Sequence, residues 1–400
     1  MWIDSTESRS IKLTKTIRLL IVDDSALMRK LLAQIFEAEG DFEIRTARNG
    51  AEALVELGRF EPHVVTLDIN MPEMDGLTAL SMLMAERPTA VVMVSSLTEK
   101  GAMATFEALA LGAVDFIPKP GGTISLSMDT VHDLLVTKVR AAAKAKFSNV
   151  RLKKASVSVS GSIEPKVTKS APVRAVSPRQ SILTSHETKA HEVSPVSTAK
   201  YRPFGIVAIG VSTGGPRALE EILPQFGANF PWPVLVAQHM PGTFTEAFAN
   251  RLNGLCPLHV VEVCRPMPVE PGKIYIGRGG TDMVLADRLD VLTVLPKPEI
   301  PEYLWHPSVE ALMKSVQKTL QPSQFLGVML TGMGYDGAQT MAELKKAGAR
   351  TIAESEETAT VFGMPAELIR REGATVVLPV HEIAKQVNHW IEARGKKWDY

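Results

Sequence analysis

The chain has 400 residues, of which 45% are apolar and 22% charged, and Lys+Arg and Asp+Glu are equal at 44 each. That length exceeds one ordinary core and points to two globular units, while the even charge leaves no basic field for nucleic acid or an anionic membrane surface, so nucleic acid is excluded as the expected partner. Cys256 and Cys264 lie too close together to frame so long a chain, no run of about 18 apolar residues occurs, and the segment before Ile17 lacks a signal-like apolar core, so a reducing cytoplasm without membrane insertion is expected.

From Ile17 the pattern alternates short β-branched runs with helical periodicity: IRLLIVD, SALMRKLLAQIFEAEG, FEIRTA, AEALVELGR and VVTLD. It continues through AVVMVSS, ATFEALALG, VDFI and a helix over 131–146. This rhythm predicts a parallel sheet covered by helices, a doubly wound α/β unit. Over 147–202 the composition shifts to Ser, Lys, Val, Thr and Pro and no period survives, the pattern of a flexible linker. A second α/β series opens at FGIVAIGVS and proceeds through RALEEIL, PVLVAQ, TEAFANRL, strands near Val260 and Ile274, VEALMKSVQKTL, QFLGVML, AQTMAELKKAG, TIAE, TVVLP and a terminal helix.

Open α/β sheets bind ligands where strands end. In the first unit those ends carry Asp23 and Asp24, then Asp68, then Ser95, then Lys119. Like charges gathered this closely raise one another's pKa unless a cation joins them, and hard oxygen ligands suit Mg²⁺. A carboxylate surrounded by a metal, a lysine and a hydroxyl describes a phosphoryl acceptor, with Asp68 as the favoured nucleophile. The plain alternative is that a strand-end Asp caps the next helix, as Asp24 could before SALMRK.

In the second unit GIVAIG runs into Gly210-Val211-Ser212-Thr213-Gly214-Gly215-Pro216. This G-x-S-x-G at a strand-to-helix turn suits a nucleophilic serine, although Ser212 or Thr213 could equally be an N-cap. PVLVAQ ends in His239, and QFLGVML leads into a loop carrying Asp336. In a triad His239 would take the Ser212 proton and Asp336 would orient the imidazole, with His259 and His306 as competing histidines. GMGYDG, from Gly332 to Gly337, is also a G-x-G-x-x-G string with Glu354 further on, so a dinucleotide site stays open at this point.

VDDSALMRK, LDINMPEMDG, MVSS and DFIPKP resemble the receiver domain of response regulators, over 17–146. GVSTGGP, AQHMPGTFTEAFANRLN, PGKIYI, HPSVEALM, LTGMGYDGA and VFGMPAELI resemble the catalytic domain of the chemotaxis protein-glutamate methylesterases, over 204–393. The resemblance implies a flavodoxin-like receiver and a Rossmann-like parallel-sheet esterase domain, divided as extension 1–16, receiver 17–146, linker 147–202 and catalytic domain 203–400. By it Asp23, Asp24, Asp68 and the Asn70 carbonyl bind Mg²⁺, Asp68 is phosphorylated, Ser95 is the switch hydroxyl and Lys119 contacts the phosphoryl group. It implies Ser212 as nucleophile, His239 as base, Asp336 as its partner, Thr213 and Met333 as support including the oxyanion hole, and no cofactor for hydrolysis. The implied activity is phosphorylation-activated hydrolysis of glutamyl methyl esters on methyl-accepting chemotaxis receptors, releasing methanol, with deamidation of receptor glutamines. A chemotaxis histidine kinase would supply the phosphoryl group, and the receiver would cover the active site when unphosphorylated. The chain departs from the family pattern at His306, where a basic residue is expected, and at Glu310, where aspartate is expected. Cys256 and Cys264 read as packing residues.

Overall fold

A computed structural model describes residues 16–95, 98–119, 128–145 and 205–395. The expected extension and linker therefore fall almost wholly outside the described residues. The first unit runs β1 (Ile17–Val22), α1 (Ala26–Glu39), β2 (Phe42–Ala47), α2 (Gly50–Phe60), β3 (Val64–Asp68), α3 (Gly76–Glu86), β4 (Ala90–Ser95), α4 (Glu99–Leu111), β5 (Asp115–Pro118) and α5 (Met128–Ala142). Its strands pair in parallel in the order β2-β1-β3-β4-β5. Each of α1 to α4 begins at a polar cap, Ser25, Asn49, Asp75 or Thr98, whose side chain accepts from a backbone N–H three residues on. α3 was not among the expected helices, because GLTALSMLMAE is apolar on nearly every face and shows no helical stripe.

The second unit runs β6 (Ile206–Val211), α6 (Gly215–Ile222), β7 (Val234–Gln238), α7 (Gly242–Leu255), β8 (His259–Val263), β9 (Met267–Pro268) and β10 (Lys273–Gly277). It continues through β11 (Thr281–Arg288), β12 (Val291–Pro298), α8 (Val309–Thr319), β13 (Phe325–Met329), α9 (Ala338–Lys346), β14 (Arg350–Glu354), α10 (Met364–Arg370), β15 (Val376–Leu378) and α11 (Val380–Gly395). Seven strands form one sheet in the order β15-β14-β13-β6-β7-β10-β8, with every neighbouring pair parallel. The chain enters at β6, builds outward through β7, then returns through β13 on the other side of β6. That reversal makes the end of β6 the topological switch point, where such sheets open a crevice.

The sequence reading did not anticipate a further antiparallel sheet, β11-β12-β9. Its hairpin turns on Leu289 and Asp290, both at positive φ (53° and 66°), the conformation two-residue hairpin turns require but not the Asn-Gly signature that announces them.

Successive strand residues face opposite sides of a sheet, so each sheet feeds two cores. Leu19 and Ile21 of β1 pack with α1 and α5 side chains, and Ile206 and Ala208 of β6 pack with those of α8, α9 and α10. Their alternates, Leu20 and Val22 in one sheet and Val207, Ile209 and Val211 in the other, belong to a single continuous core. Aromatic rings stitch it together: Phe106 of α4 stacks on Phe248 of α7 at 5.3 Å, and Phe116 of β5 lies 4.4 Å from Phe244.

Candidate functional site

In the receiver sheet the strand ends converge as the chain order suggests. Asp23, Asp24 and Asp68 each offer an oxygen, all within 4.8 Å of one another. Lys119 Nζ lies 2.8 Å from Asp68 Oδ2 and 3.0 Å from Asp23 Oδ2. Burial pushes the Asp68 carboxyl above its ordinary pKa against the pull of Lys119, and the Asp23 charge adds to the rise. Burial likewise opposes the Lys119 charge, but Asp68 and Asp23 outweigh it and hold its pKa above the usual lysine value. An all-carboxylate donor set of this spacing fits a hard divalent cation such as Mg²⁺. Ser95 ends β4, 1% exposed, with its hydroxyl on the Gly101 carbonyl at 3.3 Å, and Asn70 is exposed beyond β3. Asp24 does not cap α1; Ser25 does, and Asp24 stays exposed beside Asp23.

In the second sheet β6 lies between β13 and β7, with Gly210 in register with Met329 on one side and Ala237 on the other. Ser212, His239 and the Asp336 loop therefore leave three adjacent strands at the same edge. Ser212 N–H donates to the Thr331 carbonyl at 3.0 Å, and His239 N–H to the Val211 carbonyl at 3.1 Å. The N-cap of α6 is Gly214, at φ 80°, with no side-chain cap, so neither Ser212 nor Thr213 serves as a capping residue. A side chain at Gly214 would also run into Thr360.

His239 Nε2 and Asp336 Oδ2 are 2.9 Å apart, with both residues buried. Asp336 also accepts from Ser308 Oγ (3.0 Å), Val309 N–H (2.6 Å) and Glu310 N–H (2.9 Å), at the N-terminus of α8. Burial alone would raise its pKa, but His239 and these N–H donors outweigh that and hold it below the ordinary value, so Asp336 stays ionised. With Nε2 held there, the other ring nitrogen, Nδ1, is buried without a hydrogen-bond partner and is the one left to accept a proton.

The competing histidines separate cleanly. His259 is exposed at the start of β8, while His306 pairs through Nδ1 with Asp282 at 3.0 Å. At the departure Glu310 the carboxylate accepts from Thr340 Oγ1 of α9 at 2.6 Å. Cys264 is exposed, so it is not a packing residue; Cys256 is half-buried, and burial pushes its thiol up to about 11.

The dinucleotide alternative loses its residues to other tasks. Asp336 is committed to His239 and α8, while Glu354, 1% exposed, accepts from Thr331 N–H and Thr358 Oγ1 and cannot reach a ribose.

Thr213 is 2% exposed, and its hydroxyl donates to Asp115 Oδ2 of the receiver's β5 at 2.6 Å, while Asp115 Oδ1 pairs with Lys138 at 2.9 Å. Met333 is half-buried in the loop after β13. Sequence reasoning missed Asp115 because it opens a strand instead of closing one. It also missed Ser308, whose only signal is an N-cap serine ahead of VEALM, and Asp282 and Trp305, whose partners lie in distant segments.

A family model described as response regulator receiver domain matches residues 19–128, and one described as CheB methylesterase matches residues 207–387. In that order they define a response regulator whose output is an enzyme. The chain is 52% identical over 383 residues to protein-glutamate methylesterase/protein-glutamine glutaminase 3 of Rhodospirillum rubrum, covering 96% of this chain and 98% of that protein. It is 52% identical over 375 residues to protein-glutamate methylesterase/protein-glutamine glutaminase 2 of Rhodopseudomonas palustris, covering 94% and 98%. Among solved structures, the Thermotoga maritima CheB methylesterase catalytic domain is 36% identical, covers 46% of this chain and 96% of that chain, and has a TM-score of 0.44. The chain belongs to the CheB-type protein-glutamate methylesterase/protein-glutamine glutaminase family, and its function is phosphorylation-regulated hydrolysis in chemotaxis adaptation. A receiver of this kind implies Mg²⁺-dependent phosphorylation, and the pairing of domains implies chemoreceptor substrates and a histidine kinase donor. No helix among the described residues is long and apolar enough to cross a membrane.

Proposed function

We propose that Ser212, His239 and Asp336 carry the hydrolysis, within a catalytic domain over 203–400, and that phosphorylation of Asp68 in a receiver over 17–146 releases it. The observation that carries this reading is the buried His239–Asp336 pair, at 2.9 Å, with His239 Nδ1 unpartnered and His239 following the strand next to the one that runs into Ser212. Ser212 Oγ attacks the γ-carbonyl carbon of a receptor glutamyl methyl ester while its proton passes to His239 Nδ1. Asp336 stabilises the imidazolium through Nε2. The tetrahedral adduct collapses, the C–O bond to the methoxy group breaks, and the proton on Nδ1 leaves with it as methanol. Water, deprotonated by the same nitrogen, then attacks the acyl-enzyme and frees the glutamate carboxylate. With a glutamine side chain the leaving group is ammonia and the remaining steps are unchanged. No step calls for a metal in the catalytic domain, and Thr213 and Met333 would support the oxyanion.

In the receiver Asp23, Asp24, Asp68 and the Asn70 carbonyl would hold Mg²⁺, which when bound neutralises charge on the phosphoryl oxygens. Lys119 is already placed on Asp68, at 2.8 Å, to contact the same group, and Ser95 would turn towards it as the switch hydroxyl. Two features support coupling between the sites. The Thr213 hydroxyl is tied to Asp115 of the receiver, and the Phe106, Phe116, Phe244 and Phe248 rings seal the two sheets' shared core. Moving the receiver away would free Thr213 and open the site to a receptor segment. The reading assigns the enzyme to the cytoplasm, where Cys256 and Cys264 stay reduced.

The test is methanol release from methylated chemoreceptor membranes by wild type and Ser212→Ala, each with and without a small-molecule phosphodonor and Mg²⁺. Release that requires Ser212 and rises with phosphodonor is expected. Equal release by the Ser212→Ala variant would overturn the nucleophile assignment.

A further inference from the structure

We propose that Trp305 is a positioning residue for His239, and that a buried Asp282–His306 clamp holds Trp305 in place; this rests on His239 being the base of the reaction. A single hydrogen bond to Asp336 fixes one edge of the His239 ring but leaves it free to swing about the Nε2···O line, which would sweep Nδ1 away from the serine. A flat surface against the ring face removes that freedom. Trp305 supplies one: its ring lies parallel to the imidazole, 5.3 Å between centroids and 6° between planes.

Trp305 is itself held from several directions. The exposed Tyr335 packs edge-on against it at 5.7 Å and 80°, and Gly334, at φ 89°, passes so close that an added Cβ would come within 2.9 Å of the indole. The segment bearing Trp305 is gripped on both sides by Asp282 of β11, which is fully buried. Asp282 accepts from Ile300 N–H at 2.8 Å, from His306 Nδ1 at 3.0 Å and from Ser308 N–H at 2.8 Å. A buried carboxylate is unfavourable without such donors, so the fold commits a charge to fixing this loop. The loop in turn delivers Trp305 to one face of His239.

The experiment uses the full chain, activated with phosphodonor and Mg²⁺, and measures kcat and KM for methanol release from methylated receptor membranes. Misplacing a reacting group costs rate more than binding, so Trp305→Ala is expected to lower kcat about tenfold with KM changed less than about twofold, and Trp305→Phe to recover most of the loss. His306→Ala should lower kcat by about threefold, and the double variant should be no slower than Trp305→Ala alone, because both changes act through one ring. A KM effect with kcat unchanged would make Trp305 a wall of the substrate groove and overturn the proposal. So would additive losses in the double variant, which would break the link between clamp and ring, or failure of Trp305→Phe to recover activity in a folded protein. His239→Ala separates the two levels: full activity there sinks the parent assignment, whereas its inactivity beside a fully active Trp305→Ala sinks the positioning role alone.

Discussion

Asp68 and Asp336 are nearly equally hidden, 2% and 5% exposed, yet their carboxyl pKa values move in opposite directions. Burial is the largest influence on both and pushes both upward. Asp336 overcomes it with an imidazole, a hydroxyl and two N–H groups from the start of a helix. Asp68 has Lys119, but shares it with Asp23, whose charge works against ionisation. The difference teaches that donor supply, more than depth, decides what a buried carboxylate becomes. A saturated one is a fixed anion able to orient a histidine. An undersupplied one keeps its lone pairs for a cation and a phosphoryl group.

The sharpest way to break this comparison is to neutralise the saturated member. Asp336→Asn should remain folded by circular dichroism and lose about 10⁴ in kcat, because an amide cannot fix the imidazole tautomer or stabilise the imidazolium; full methanol release would mean Asp336 is no anion of this kind. Neutralising the undersupplied member acts on regulation and stability instead. Asp68→Asn should abolish the response to phosphodonor while leaving unstimulated release intact, and should raise Tm by a few degrees, on the order of 1 kcal/mol for relieved repulsion. A lowered Tm would contradict the reading of Asp68 as undersupplied with donors.

Glu354 extends the comparison to a third carboxylate, 1% exposed, with Thr331 N–H and Thr358 Oγ1 as its donors and its pKa pushed up to about 7 by burial. Its folded pKa lies above the ordinary 4.5, so the folded state holds the proton after the unfolded chain has released it. The fold therefore loses stability as pH rises from about 4.5 to about 7, by at most about 3 kcal/mol, and the loss levels off above that window. Glu354→Gln should melt higher than wild type at pH 8 and match it below pH 4.5, by calorimetry across that range. A difference that does not change with pH would show that Glu354 does not titrate in the fold.

Most receiver residues were legible because a parallel sheet places consecutive strand ends at one edge, so reading the residue at or just past each strand end finds Asp23, Asp68, Ser95 and Lys119 without knowing any contact. Ser212 and His239 were legible by the same rule. Asp115 breaks it, since it starts a strand and acts through an interface the linear pattern does not encode. The Asp282 clamp was hidden for a different reason: it sits on a hairpin whose Leu-Asp turn carries no glycine, and its partners lie 18 to 26 residues further along. Contacts of that range are fixed by packing, and periodicity carries no trace of them. α10 escaped because seven residues are too few to establish a helical stripe.

The four phenylalanines joining the two sheets have a thermal consequence. Apolar contact weakens on cooling, since its driving force near ambient temperature comes from water's entropy. A receiver held to its enzyme by Phe106, Phe116, Phe244 and Phe248 is therefore held less firmly in the cold than a purely polar seam would hold it. On the proposed regulation such a seam would make the resting state a crude thermometer, its inhibition weakening as temperature falls before any kinase has acted.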